Sequence, residues 1–143
     1  MFQIITLISV SNIYILLLFA CFNCKYLPTY KHSSLILTTN VDLGNNKSSI
    51  LKELSSLVAT TTGKPESYVA ISVTDKASMV FGGSDAPLAL GCMYSLGAIN
   101  KENNGKIQSG VTDVLEKYGV KEDRIYINFF DMARGELSDV IYL

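Results

Sequence analysis

From residue 34 onward the sequence repeats one pattern twice: a β-type run, an amphipathic run at helical spacing, then a second β-type run. This constrains the fold more than any other feature of the chain. In the first copy, Leu35–Val41 (LILTTNV) reads as a short strand. Ile50, Leu51, Leu54, Leu57 and Val58 then recur at the spacing of one helix face, with Ser48 or Asn46 placed to cap its start. Gly63 supplies the stop, Pro65 prevents resumption, and Tyr68–Val73 (YVAISV) is a second strand. In the second copy, Met79–Phe81 reads as a short strand ended by Gly82-Gly83, and Cys92–Leu96 as an extended run. Ile107, Val111, Val114, Leu115 and Tyr118 mark another helix, closed by Gly119. Arg124–Phe130 (RIYINFF) is the last strand. Its period of two puts Ile125, Ile127 and Phe129 on one face and Tyr126, Asn128 and Phe130 on the other.

Two units of about forty residues each are the signature of a duplicated βαβ fold, of the α/β (α+β) class. Right-handed crossovers would place both helices on one face of a four-stranded mixed sheet. The opposite face still carries Val, Ile and Phe and needs a cover. Oligomerisation is the simplest one.

The first part of the chain differs. Residues 1–24 contain no charged side chain, and the first is Lys25. Residues 3–22 are long enough to cross a bilayer, but Ser9, Ser11 and Asn12 leave a denser core at Ile13–Cys21, the length of a signal-peptide core. No Lys or Arg precedes that core, and Lys25 and Lys31 follow it, a bias that would hold an anchored domain in the cytoplasm. Residues 1–33 therefore stand as an apolar leader, signal-like, anchoring or a gene-model artefact, and residues 34–143 as the folded domain. The expected location is extracellular or cytoplasmic, with anchoring through residues 3–22 as the alternative.

A net charge of −1 and a pI near 5.8 provide no basic footprint for nucleic acid. Cys21, Cys24 and Cys92 cannot form a disulfide scaffold. A metal site would need all three plus the single His32, and two of those thiols end an apolar run. No metal and no cofactor is expected.

Five blocks carry a resemblance: TTNV (38–41), GKPESYV (63–69), MVFGGSDAP (79–87), SLGAIN (95–100) and DRIYINFFDM (123–132). In this order and spacing the chain resembles the macrophage migration inhibitory factor and D-dopachrome tautomerase family. The resemblance implies a homotrimer whose three sheets line a central barrel, which would cover the open sheet face. It also implies keto–enol tautomerisation of phenylpyruvate-type α-keto acids and isomerisation of dopachrome. The implied base is the amine of a proline exposed as the first residue. An α-amine titrates near 8 in water, and an apolar pocket with cationic neighbours lowers that value, so it can accept a carbon-bound proton.

Carried over residue by residue, the family's carboxylate-binding lysine falls on Lys64 and the apolar wall of its pocket on Leu96. The tyrosine and asparagine supplied by the adjacent subunit fall on Tyr126 and Asn128. The proline position is occupied by Ser33, preceded by His32, so its nitrogen is an amide without a basic lone pair. No catalytic base is assigned. His32 offers an imidazole, but a lone histidine in a tail is usually solvated. The CxxC of some family members falls on Leu88 and Gly91, and the family's Gly-Trp-Asn segment has no counterpart, because the chain lacks tryptophan and ends ARGELSDVIYL. The expected function is a tautomerase of this type acting on a small aromatic α-keto acid or dopachrome-like substrate. The alternative is a non-catalytic, cytokine-like trimer that binds a cell-surface receptor.

Overall fold

The alternation of LILTT is realised in strand β1 (Ser33–Thr39), where Leu35, Leu37 and Thr39 are buried and Ile36 is exposed. The structure is a computed structural model that describes residues 32–133. Residues 1–31, most of the apolar leader, and residues 134–143 lie outside the described residues. Among the described residues, no helix is long and apolar enough to cross a membrane.

Helix α1 (Lys47–Thr62) buries Ile50, Leu54 and Val58, a stripe spaced by four. Its start corrects the expected cap. Neither Ser48 nor Asn46 caps it through a side chain; a 3-10 turn at Gly44–Asn46 runs straight into the helix. That turn is held from outside, by Gly44 N–H donating to Asp42 Oδ1 at 2.8 Å and Leu43 N–H donating to Asp75 Oδ2 at 3.3 Å. Lys47 then pairs with Asp75 at 2.6 Å. Gly63 ends α1 at φ 67°, where only glycine is unstrained.

Strand β2 (Val69–Thr74) turns Val69, Ile71 and Val73 toward the core. The expected strand at Met79–Phe81 is absent. Phe81 forms an isolated bridge with Ser84 across Gly82-Gly83, both at positive φ, the geometry of a tight hairpin turn with no sheet neighbour. Carbonyls of this loop are instead taken by Arg124, whose guanidinium donates to Ser84, Ala86 and Pro87 O at 2.9–3.1 Å.

Strand β3 (Ala89–Ser95) starts three residues before the expected Cys92. Helix α2 (Lys101–Glu116) starts six residues before Ile107, because its first turns are polar and carry no apolar marker. Asn100 caps it, its side chain accepting from Asn103 N–H at 2.9 Å. Strand β4 (Ile125–Asp131) completes the second unit.

The sheet runs β2-β1-β3-β4. The two β1–β2 and β3–β4 pairs are parallel, and β1 meets β3 antiparallel, with Leu35 opposite both Ile71 and Met93. Both helices cover one face, enclosing Leu35, Leu37, Leu54, Met93, Ile107 and Val111. Each such side chain contributes about 1.5–3 kcal/mol by leaving water. On the other face Ile36, Leu90, Tyr126 and Phe130 stay exposed, and Tyr94 stacks on Phe130 at 5.0 Å. This is the expected duplicated βαβ architecture, with an apolar face that one chain leaves open.

Candidate functional site

The start of β1, the end of β3 and the turn after α1 converge at one end of the sheet. Gly63 reverses the chain, and Pro65 forbids further helix, so Lys64 leaves the helix end and reaches toward the strands. Its Nζ donates to Ser95 Oγ at 2.6 Å, Leu96 O at 2.9 Å and His32 O at 3.0 Å. Ser95 Oγ donates its single hydrogen to Gly97 O at 2.7 Å. The Ser33 hydroxyl, 2.9 Å from Ser95 Oγ, must then be the donor of that contact. Both serines are buried, at 2% and 1% exposure.

Backbone bonds lock the same region. Leu96 N–H donates to His32 O at 3.1 Å, and Met132 N–H to Ser95 O at 2.9 Å. Gly97 N–H donates to Asp131 Oδ1 at 2.8 Å, which fixes a carboxylate near the site. Burial pushes the Lys64 ammonium below the usual lysine pKa, and the charge of Asp131 opposes that shift. Above this network lies a cavity of about 90 Å³ bordered by His32, Ser34, Ala70, Tyr94, Leu96 and Met132. Ser95 and Leu96, which accept from the Lys64 ammonium, also border this cavity, so the cation stands at the edge of a small, largely apolar hollow.

Three of the singled-out positions, Ser33, Lys64 and Leu96, are therefore together. Tyr126 and Asn128 are elsewhere. They pair with Leu90 and Cys92, while Ser95 pairs with Asp131. At about 3.3 Å per residue, they stand ~16 and ~10 Å along the sheet from Ser95. Tyr126 is 57% exposed on the open face, and both residues border a separate hollow with Gln108 and Phe129. One chain does not join the two halves. Ser33 N lies within a peptide bond and supplies no base. His32 is exposed, its ring edge-on to Tyr68 at 5.9 Å. Sequence reasoning missed Ser95 and Asp131 as members of the site, although both lie inside the quoted blocks SLGAIN and DRIYINFFDM.

The family model described as Macrophage migration inhibitory factor (MIF) matches residues 33–139. The chain belongs to the macrophage migration inhibitory factor family. Among curated relatives, a MIF homolog of Trichuris trichiura is 42% identical over 109 residues, spanning 73% of this chain and 90% of that protein. The MIF of Mus musculus is 34% identical over 104 residues, spanning 72% and 90%. Solved MIF structures share the fold. That from Toxoplasma gondii superposes with a TM-score of 0.70 at 29% identity, covering 75% of this chain and 96% of that one. That from Trichinella spiralis gives 0.66 at 31% identity, covering 73% and 94%. The MIF-family match begins at Ser33, the first residue of β1, where Lys64, Ser95 and Leu96 converge.

Proposed function

We propose that this chain is a MIF-type tautomerase scaffold whose Lys64 pocket takes the carboxylate of a small aromatic α-keto acid such as phenylpyruvate. The observation that carries this reading is the Lys64 ammonium bonded to Ser95 and Leu96, two residues that border a largely apolar cavity at the ends of β1 and β3. Lys64 anchors the carboxylate, Leu96 packs against the ring, and Tyr126 and Asn128 complete the pocket from a neighbouring copy in a homotrimer. The open apolar face of the sheet, which one chain leaves uncovered, supports that assembly.

Enolisation also needs a group that removes a carbon-bound proton. Ser33 N cannot do so while it is an amide, so as written the chain carries the pocket residues without a family-type base. The test is phenylpyruvate enolisation by a chain beginning at residue 32 with His32→Met and Ser33→Pro, the initiator methionine being removed in the cell. A proline α-amine starts near 8 and is lowered beside Lys64, which makes it a base at neutral pH. Turnover is the expected result. A folded protein without turnover would overturn the pocket reading itself.

The missing base favours a second reading, a cytokine-like trimer acting through its surface on a cell-surface receptor. Receptor capture unaffected by Lys64→Ala, with no turnover in the proline variant, would select it. That reading requires an extracellular protein, whereas the tautomerase reading accommodates an extracellular or a cytoplasmic one.

A further inference from the structure

A lysine ammonium has three hydrogens, and here three acceptors take them. A carboxylate can gain a hydrogen bond from Lys64 only by displacing one of the three. Ser95 Oγ is fixed by its own bonds to Ser33 and Gly97, and Leu96 O belongs to the chain leaving β3. The third acceptor is different in kind. It is the carbonyl of His32, the exposed residue immediately before β1, and it receives a second donor, Leu96 N–H, at 3.1 Å. One ammonium hydrogen and one backbone amide converge on a single oxygen, which is the reception a carboxylate oxygen would need at this site.

We propose that the His32 carbonyl is an internal stand-in for the ligand's carboxylate oxygen. The anion site is closed while residue 32 is joined to Ser33, and it opens in a chain that begins at Ser33. This deepens the tautomerase reading above and rests on it. Hydrolysis of the His32–Ser33 bond by an endopeptidase, acting before β1 enters the sheet because Ser33 is buried once folded, would perform the opening. Water gives its hydroxyl to the His32 carbonyl carbon and a hydrogen to the Ser33 nitrogen, and the C–N bond breaks. The acceptor departs with the upstream peptide, Lys64 Nζ–H and Leu96 N–H are both released, and a new α-amine stands beside them. Trimming one residue earlier leaves the carbonyl of residue 32 in place and the site closed.

The test keeps the chain full-length and replaces residues 27–32 by ENLYFQ, so that a protease specific for the Gln–Ser bond cuts directly before Ser33 in mild denaturant, after which cut and uncut chains are refolded alike. Phenylpyruvate binding is measured by titration calorimetry at neutral pH before and after the cut. Affinity is expected to rise at least about tenfold on cutting, the worth of one hydrogen bond to a charged group. The same cut in Lys64→Ala should give no rise. A second chain carries ENLYFQ at residues 26–31 with His32→Ser, is cut before residue 32, and should stay weak. Equal affinity before and after the first cut overturns the stand-in and leaves the pocket reading intact. A rise in the second chain also overturns it, since residue 32 is still attached. Absence of binding in every state of a folded protein overturns both.

Discussion

Lys64 and Ser95 meet in a 2.6 Å hydrogen bond that ties the turn after α1 to the last residue of β3. The bond joins the two βαβ units at the end of the sheet where the MIF-family match begins. Because Ser95 also receives the Ser33 hydroxyl, one buried oxygen organises the lysine, the first strand and the loop at Gly97.

Ser95→Ala therefore leaves the Ser33 hydroxyl buried without its acceptor and Lys64 short of a partner. A loss of about 1–3 kcal/mol in urea unfolding is expected, the cost of an unsatisfied buried polar group. Ser95→Thr keeps the oxygen and should recover part of the loss.

The Lys64 ammonium has a pKa held below the ordinary lysine value by burial, with Asp131 partly restoring it. Binding of a carboxylate needs the charged form. In the chain cut before Ser33, phenylpyruvate affinity should hold at neutral pH and fall as pH rises through that lowered pKa, earlier than an ordinary lysine would lose its proton. Asp131→Asn should move the fall to still lower pH, and Lys64→Arg to higher pH. Stability moves in the opposite sense. A cation whose folded-state pKa is depressed costs stability below that pKa, and the cost is relieved as pH climbs toward the unfolded value.

Gly91 sits in β3 where an added Cβ would lie 2.5 Å from Leu37 Cδ2 and 3.2 Å from Ile36 O. Leu37 can shift, but the backbone oxygen of a paired strand cannot. Gly91→Ala should lower stability by about 1–3 kcal/mol in thermal unfolding, the usual cost of overpacking a filled core.

Arg124 pins the loop at Ser84–Pro87 through three carbonyls and lies 5.4 Å from the Phe81 ring centroid. Lysine has one compact ammonium in place of the planar fork and cannot reproduce these bonds. Arg124→Lys should speed amide exchange at Phe81 and Ser84, with a loss of about 1–3 kcal/mol of local protection. The sheet around Leu35 and Met93 should be unaffected.

Much of this architecture is legible in the sequence because packing and periodicity agree. Ile125, Ile127 and Phe129 face the helices and Tyr126, Asn128 and Phe130 face away, as a period of two requires. Ile50, Leu54 and Val58 mark α1 because each fourth residue is buried. What was not legible depends on distant partners. Met79–Phe81 has strand-like residues but no strand to pair with, and Arg124, far along the chain, takes the loop's carbonyls instead. The start of α1 has no side-chain cap of its own because Asp75, beyond β2, holds the turn before it. In the site, Lys64 and Leu96 were found through the motif blocks. The His32 carbonyl could not be, since every residue has one and only the fold aims this one at Lys64.

The proposed function joins Lys64 on one copy with Tyr126 and Asn128 on the next in one site. It is tested most directly by mixing two disabled forms of the His32→Met, Ser33→Pro chain, one with Lys64→Ala and the other with Tyr126→Phe and Asn128→Ala. Each alone should be impaired in phenylpyruvate enolisation. After joint unfolding and refolding in equal amounts, roughly a quarter of the sites in a cyclic assembly should hold both intact halves, and activity should return in that proportion. Mixed oligomers that form by native mass spectrometry yet show no gain over the separate proteins would contradict the shared site.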